Sequence, residues 1–255
     1  MRSRLDWDAH VSKLRRENAF ERFYRMNEAT FDCLLRFMTP KLRSGLSTYG
    51  NSAILPEIYL HCALRFLAGG TYLDIRDKAE ISTASFYRIF WQAACAILDA
   101  PELALQLPSV DELPLCAEQF AALSSNAANH PPLFTGCVGA IDGMLQRIRT
   151  PDKRDTKAAR HYYFGHYSTM GVNCQAMCDH LCRFTYFGVV APGGANDVRA
   201  YQSSLLKDWV DNLPPRFYVV ADNAYILSEH LLSPFYGADK RDEHKDSFNF
   251  YLSQL

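Results

Sequence analysis

The chain of 255 residues has no run approaching the roughly 20 apolar residues that a membrane helix needs, and its first residues lack an apolar signal core. Met1-Arg2-Ser3-Arg4 is followed instead by Asp6 and Asp8. An excess of one charge is also missing: net charge is −1, so any contact with a polyanion must come from local patches rather than from the whole chain. The eight cysteines show no disulfide or zinc framework. Cys174, Cys178, His180 and Cys182 form a C-x3-C-x-H-x-C run, which matches no standard structural zinc spacing, and Cys174 and Cys178 alternate with Val172 and Ala176 as small hydrophobes do. Free thiols suit a reducing compartment, cytosol or nucleus. An apolar fraction of 48% and a charged fraction of 22% leave an ordinary globular chain, long enough for one large domain or two modest ones.

What is present changes character along the chain. Residues 1 to about 105 read as helical. Glu21 to Leu42 spaces Phe23, Met26, Phe31, Leu34, Leu35 and Met38 as one helix, with Pro40 closing it. From Met1 to Ser44 ten Lys/Arg stand against six Asp/Glu, which reads as a solvated helix face or as a phosphate-contacting arm. Glu57 to Leu67 is a further helix, stopped at Gly69-Gly70. A short helix from Thr71 to Arg76 follows, then one to Leu98 capped by Ser82 or Thr83 and carrying Phe86, Ile89, Phe90, Ala93 and Ile97 on one side. Short helix, turn and longer helix make the skeleton of a helix-turn-helix, with Arg76, Lys78 and Arg88 outward, but two ordinary packed helices give the same pattern. Residues 106–132, with Pro108, Pro114 and the run Ser124 to Pro132, read as a linker, placing a domain boundary near 130.

From Leu133 the pattern is α/β. Strands are expected over Gly136–Asp142 (continuing towards Ile148), Ser168–Cys178, Arg183–Val190 and Phe217–Ala221. One helix, capped by Asn196 or Asp197, is expected through Trp209 with Val198, Tyr201, Leu205 and Trp209 buried, and another over Leu227–Leu232. The order β-β-β-α-β-α is that of a ribonuclease H-like mixed sheet: an antiparallel meander, then a crossover to a parallel strand. Asp142 and Asp222 each close an apolar strand. Singly, Asp142-Gly143 reads as a hairpin turn and Asp222-Asn223 as a plain turn. Together, on adjacent strands, they form a carboxylate pair that repels unless it shares a proton or a divalent cation. Arg147, Arg149, Lys153, Arg154, Lys157 and Arg160, followed by four aromatic residues, read as a charged loop or as a nucleic-acid contact beside the first aspartate.

Five ordered motifs add to this. Gly139-Ala140-Ile141-Asp142-Gly143, Gly165-His166-Tyr167-Ser168 with Asn173-Cys174-Gln175-Ala176, Pro192 to Asp197, Ala221-Asp222-Asn223-Ala224-Tyr225 and Leu231 to Phe235 resemble successive blocks of PIF/Harbinger-type transposases and their domesticated DDE endonuclease relatives. The resemblance implies that residues 133–255 are a DDE endonuclease domain in which Asp142 and Asp222 hold Mg²⁺ or Mn²⁺ ions. One ion would activate water or a DNA 3′-hydroxyl and the other stabilise the leaving oxygen. Asp197 is implied as a metal-adjacent residue or a helix cap. The family's third ligand, a Glu, follows a Phe-Asn-x-x-x-Ser block. Phe248-Asn249 and Ser253 reproduce that block and the sequence ends two residues later, so the expectation is a truncated or decayed copy lacking the C-terminal helix. Glu229 and Glu243 do not match the motif. The implied partners are DNA and a separate transposon-derived DNA-binding protein, with no membrane, in the nucleus or also the cytoplasm. The alternative is a non-catalytic DNA-binding or protein-interaction module.

Overall fold

The computed structural model of the protein describes residues 4–43, 54–123, 132–237 and 242–253. The chain divides into two compact units, Met1–Ala104 and Leu105–Leu255. The first is helical: α1 (Trp7–Arg16), α2 (Phe20–Tyr24), α3 (Glu28–Arg43), α4 (Pro56–Leu67), α5 (Tyr72–Lys78) and α6 (Thr83–Leu98). Asp6, Thr71 and Ser82 cap α1, α5 and α6 with their side-chain oxygens, as the short polar residue before each apolar run suggests.

The single helix expected over Glu21–Leu42 is two. Arg25 takes a left-handed conformation at φ 61°, and Asn27 restarts the chain by accepting the Thr30 N–H at 2.9 Å. Pro40 does not end α3, which runs on to Arg43. The proline lies in the last turn, and Met38 and Leu42 on either side of it are buried in the core. Polar side chains meet inside that core. The Tyr24 hydroxyl lies 3.1 Å from His10 Nε2 and 2.8 Å from His61 Nδ1, with all three side chains buried. Burial holds the His10 imidazole down at about 4 and that of His61 at about 3, so both are neutral.

In the helix–turn–helix stretch, Arg76 is half-buried, while Lys78 and Arg88 are exposed and the Lys78 ammonium sits 5.0 Å over the Phe23 ring. Trp91 and Leu98 extend the exposed side of α6 with apolar surface.

The second unit is a six-stranded open mixed sheet of the ribonuclease H-like kind, with helices against it. Its elements are α7 (Leu113–Leu123), β1 (Cys137–Arg147), β2 (Tyr163–Phe164), β3 (Thr169–Cys178), β4 (Phe184–Pro192), α8 (Asp197–Gln202), α9 (Leu205–Asp211), β5 (Tyr218–Ala221), β6 (Leu231–Leu232) and α10 (Glu243–Leu252). Strand order is β2-β3-β1-β5-β6, with β4 on β3. β1, β3 and β4 form the antiparallel meander, while β5 lies parallel to β1 and β6 parallel to β5. One apolar cluster gathers Ile141, Met177, Tyr201, Leu206, Val210 and Val219; another gathers Phe120, Phe134, Cys137, Val220 and Leu252.

The stretch 106–132, read as a linker, therefore carries α7, whose Leu113 and Phe120 are buried with the sheet residues; residues 124–131 lie outside the described part. Two expected helices differ. The helix through Trp209 breaks at Ser203, and Ser204 caps a new one by accepting the Lys207 N–H. The break shifts the phase, so Leu206 and Val210 are buried and Leu205 is exposed. The helix expected over Leu227–Leu232 is instead β6: the open edge of β5 takes Leu231 and Leu232 in parallel pairing, and Leu231 fills the core. The Phe-Asn-x-x-x-Ser block lies on α10, where the Asn249 side chain exchanges two hydrogen bonds with the Phe235 backbone (2.8 and 3.0 Å) and Phe248 packs on Phe235.

Candidate active site

β1 is the central strand, and its neighbours fix where its carboxylate stands. The parallel ladder pairs Ile141 with Ala221, so the next residue on each strand, Asp142 and Asp222, falls at the same level of the sheet. On the other side the antiparallel partner of Asp142 is Ala176, a side chain too small to cover it. Asp142-Gly143 is not a hairpin turn, since β1 continues to Arg147; Asp222 does open a turn. The Gly143 N–H donates to Asp142 Oδ1 at 2.7 Å and the Ala224 N–H to Asp222 Oδ1 at 2.9 Å. The second oxygen of each carboxylate has no hydrogen-bond partner among the described residues. Partial burial raises the Asp142 carboxyl above its ordinary value, and the negative charges of Asp222 and Asp197 add to that rise.

Asp197 joins the pair from the start of α8. The helix cap is its neighbour Asn196, which accepts the Arg199 N–H at 2.9 Å, so Asp197 is not the cap. Its Oδ1 instead accepts the Asn173 Nδ2 at 2.9 Å. Behind Asn173 runs a buried relay: Gln175 Nε2 donates to Asn173 Oδ1 at 2.9 Å, and the Tyr225 hydroxyl donates to Gln175 Oε1 at 2.7 Å. Gln175 is 0% exposed, and Asn173 and Tyr225 are nearly so. Tyr225 is raised far above the ordinary phenol range, first by burial and then by the fields of Asp197, Asp142 and Asp222; it stays protonated and remains a donor. Gly143 completes the fit. A Cβ there would stand 2.3 Å from Asp197 Oδ1 and 2.9 Å from Gln175 Nε2, so the carboxylate lies directly against the β1 backbone beside Asp142.

Asn173 and Gln175 belong to the second of the five motifs, where the resemblance gives neither of them a role. The signal was there: two amides in period-two alternation with Met177, on a face that turns inward.

Of the six basic residues, Arg147, Arg149, Lys153, Lys157 and Arg160 are exposed, and Arg154 is paired with Asp152 at 3.2 Å. Arg160 also lines a cavity of about 560 Å³ with Arg199, His161 and Tyr163. Cys174 is buried, Cys178 and His180 half-buried and Cys182 exposed. The all-oxygen donors of Asp142 and Asp222 suit a hard divalent ion held by one or two carboxylates and water better than they suit zinc. Among the described residues no three His, Cys, Asp or Glu side chains gather closely enough to hold a metal.

Residues 141–255, which include all three aspartates, match the family model described as DDE superfamily endonuclease. The chain is also similar to three curated relatives bearing the name "Putative nuclease HARBI1". It is 24% identical to that of Rattus norvegicus over 193 residues (74% of this chain, 51% of the relative). The figures are 24% over 204 residues for Mus musculus (78% and 54%) and 24% over 229 residues for Xenopus laevis (83% and 61%). The chain thus spans about half the length of the first of these relatives. No solved structure matches.

Proposed function

We propose that the chain is a Harbinger-type nuclease that cleaves DNA phosphodiester bonds with Mg²⁺ or Mn²⁺, a reading that starts from the match of residues 141–255 to the DDE superfamily endonuclease model. The observation that carries the proposal is the register of β1 and β5, which sets Asp142 beside Asp222 with one oxygen of each left for a ligand. When bound, the divalent ion neutralises charge at the scissile phosphate and activates water. The protein's own part is positional. Asp142 and Asp222 would hold the ion, their backbone hydrogen bonds fix each carboxylate's rotation, and the Tyr225–Gln175–Asn173 relay holds Asp197 against β1. A nuclear setting, and a separate DNA-binding partner that supplies target choice, follow from this reading.

Nicking of supercoiled plasmid by the purified chain in Mn²⁺ tests it. Nicking that disappears in both Asp142→Asn and Asp222→Asn supports the reading; equal nicking by the variants, or none by the wild type, overturns it. One observation favours the other reading, a non-catalytic DNA-binding module: the lack of a three-carboxylate group among the described residues. Calorimetric titration with Mn²⁺ separates the two, since the module gives the same heats before and after Asp142→Ala.

A further inference from the structure

The cavity beside the aspartates has its own chemistry. Its wall carries two guanidinium groups, Arg160 and Arg199, together with the His161 imidazole, and none of its lining residues is a carboxylate. Apart from Ser203 the rest of the wall is largely apolar and partly flat: the half-exposed Tyr163 stands with Pro192 and Val190. Cations at one part and an aromatic face at another fit an anion joined to a flat ring, and the volume of about 560 Å³ is that of a small-ligand cleft.

The floor is built rather than incidental. The Gly194 N–H donates to the His161 carbonyl at 2.8 Å, and a Cβ at Gly194 would stand 2.7 Å from that same oxygen. Gly193 is pinned likewise to the Gly171 carbonyl at 2.9 Å. Gly194 welds the loop after β4 to the segment before β2 and Gly193 welds it to β3, and only residues without a side chain allow so close an approach.

The cleft is also tied to the acidic residues. The Asn173 amide donates both to the carbonyl of Ala195, a lining residue, at 3.3 Å and to Asp197 Oδ1 at 2.9 Å. One buried side chain therefore fixes the cleft wall relative to a carboxylate at the site.

We propose that this cleft binds a single unpaired nucleotide of a DNA strand, with its phosphate on Arg160 and Arg199 and its base on Tyr163. A strand seated there leads from the cleft towards Asp142 and Asp222. The identity of the strand rests on the nuclease reading above; the anion-and-ring chemistry of the cleft does not.

Fluorescence anisotropy with a short labelled single-stranded oligonucleotide, the full chain and EDTA in place of metal tests the cleft apart from cleavage. Arg160→Ala and Arg199→Ala should each weaken binding about tenfold at low salt and reduce the salt slope by about 0.7. Tyr163→Ala should weaken binding to the normal oligonucleotide far more than to an abasic one, with Tyr163→Phe restoring it. Arg183→Ala, at the other end of β4, should leave binding unchanged. Four results overturn the proposal: no binding by the wild type, an equal loss with Arg183→Ala, full affinity in the Arg160→Ala/Arg199→Ala double variant, or stronger competition by a phosphoserine peptide than by the oligonucleotide. Cleft-dependent binding without nicking sinks the nuclease reading alone. Nicking with neutral cleft variants sinks the cleft alone.

Discussion

Replacing Gly143 with alanine adds one methyl group, and the structure says where it lands. Gly143 lies in the extended strand β1, so alanine meets no backbone penalty and the whole effect is contact. The new carbon stands 2.3 Å from Asp197 Oδ1, 2.8 Å from its Cγ and 2.9 Å from Gln175 Nε2. A long surface side chain would swing away. Asp197 is short and held by Asn173, which is itself held by the fully buried Gln175, so the strain passes into the relay. Overpacking of this kind costs about 1–3 kcal/mol, and losing the hydrogen bond from Asn173 about 0.5–1.5 kcal/mol. The two terms overlap, because moving Asp197 relieves one by breaking the other, and a sum of about 1.5–4 kcal/mol follows. For a folding unit of this size that is a fall in Tm of roughly 5–15 °C.

Differential scanning fluorimetry of the full chain measures it against two references. Gly165→Ala, where a Cβ meets nothing within 4 Å, should leave Tm within about 2 °C. In an Asp197→Ala background, Gly143→Ala should cost clearly less than in the wild type, since the nearest of its two obstacles is gone and only the contact with Gln175 remains. An unchanged Tm for Gly143→Ala, or the same cost with and without Asp197, refutes the placement of that carboxylate.

Other outcomes follow from the same geometry. Tyr225→Phe leaves the buried Gln175 Oε1 without its donor, so the urea midpoint should fall by the equivalent of about 1–3 kcal/mol with the slope unchanged; an unaltered midpoint counts against the relay. Because the Asp142 carboxyl is raised in the folded state, its favourable contribution is fully present below the ordinary value of 3.8 and is lost as pH rises through the raised folded-state value. Asp142→Asn should therefore melt higher than the wild type at pH 7 without metal, with the gain vanishing near pH 4; equal Tm values at pH 7 would contradict the crowding of charge there. His10 and His61 run the other way. Their folded-state values of about 4 and about 3 lie below the ordinary 6.5, so the helical unit is fully stable above pH 6.5 and loses stability as pH falls towards 3. Guanidinium titrations across that window should show the decline, and His61→Leu should make it shallower.

Much of the second unit was legible because apolar alternation and turn residues act locally. The strand over Thr169–Cys178 and the break at Pro192-Gly193-Gly194 needed nothing beyond their own neighbours. The same holds for the Ser82 cap of α6. What could not be read depended on partners distant in sequence. Leu227–Leu232 has helical spacing but became β6, because β5 offered an open edge. Ser203-Ser204 broke a helix whose stripe looked continuous, since Ser204 found a backbone N–H to cap. The nearness of the two aspartates in the sheet was foreseeable from the order of their strands, although β1 runs on past Asp142 to Arg147 and only Asp222 stands at a strand end. Asp197 was half-read: its place at the start of α8 suggested a cap, and only the Asn173 amide, brought across from β3, shows where its carboxylate is held. Gly143 likewise owes its small size to a neighbour more than 50 positions away.

The parallel ladder between β1 and β5 has a consequence for how the protein is made. β1, β3 and β4 follow one another closely and can zip up as their residues leave the ribosome. β5 comes much later and has to slot in beside β1 from 80 residues downstream, since Asp142 and Asp222 are that far apart in the sequence. Contacts of such long range form late in folding. A half-synthesised chain therefore carries one lone carboxylate and no pair, and whatever reactivity the finished sheet possesses is withheld until translation has passed Asp222.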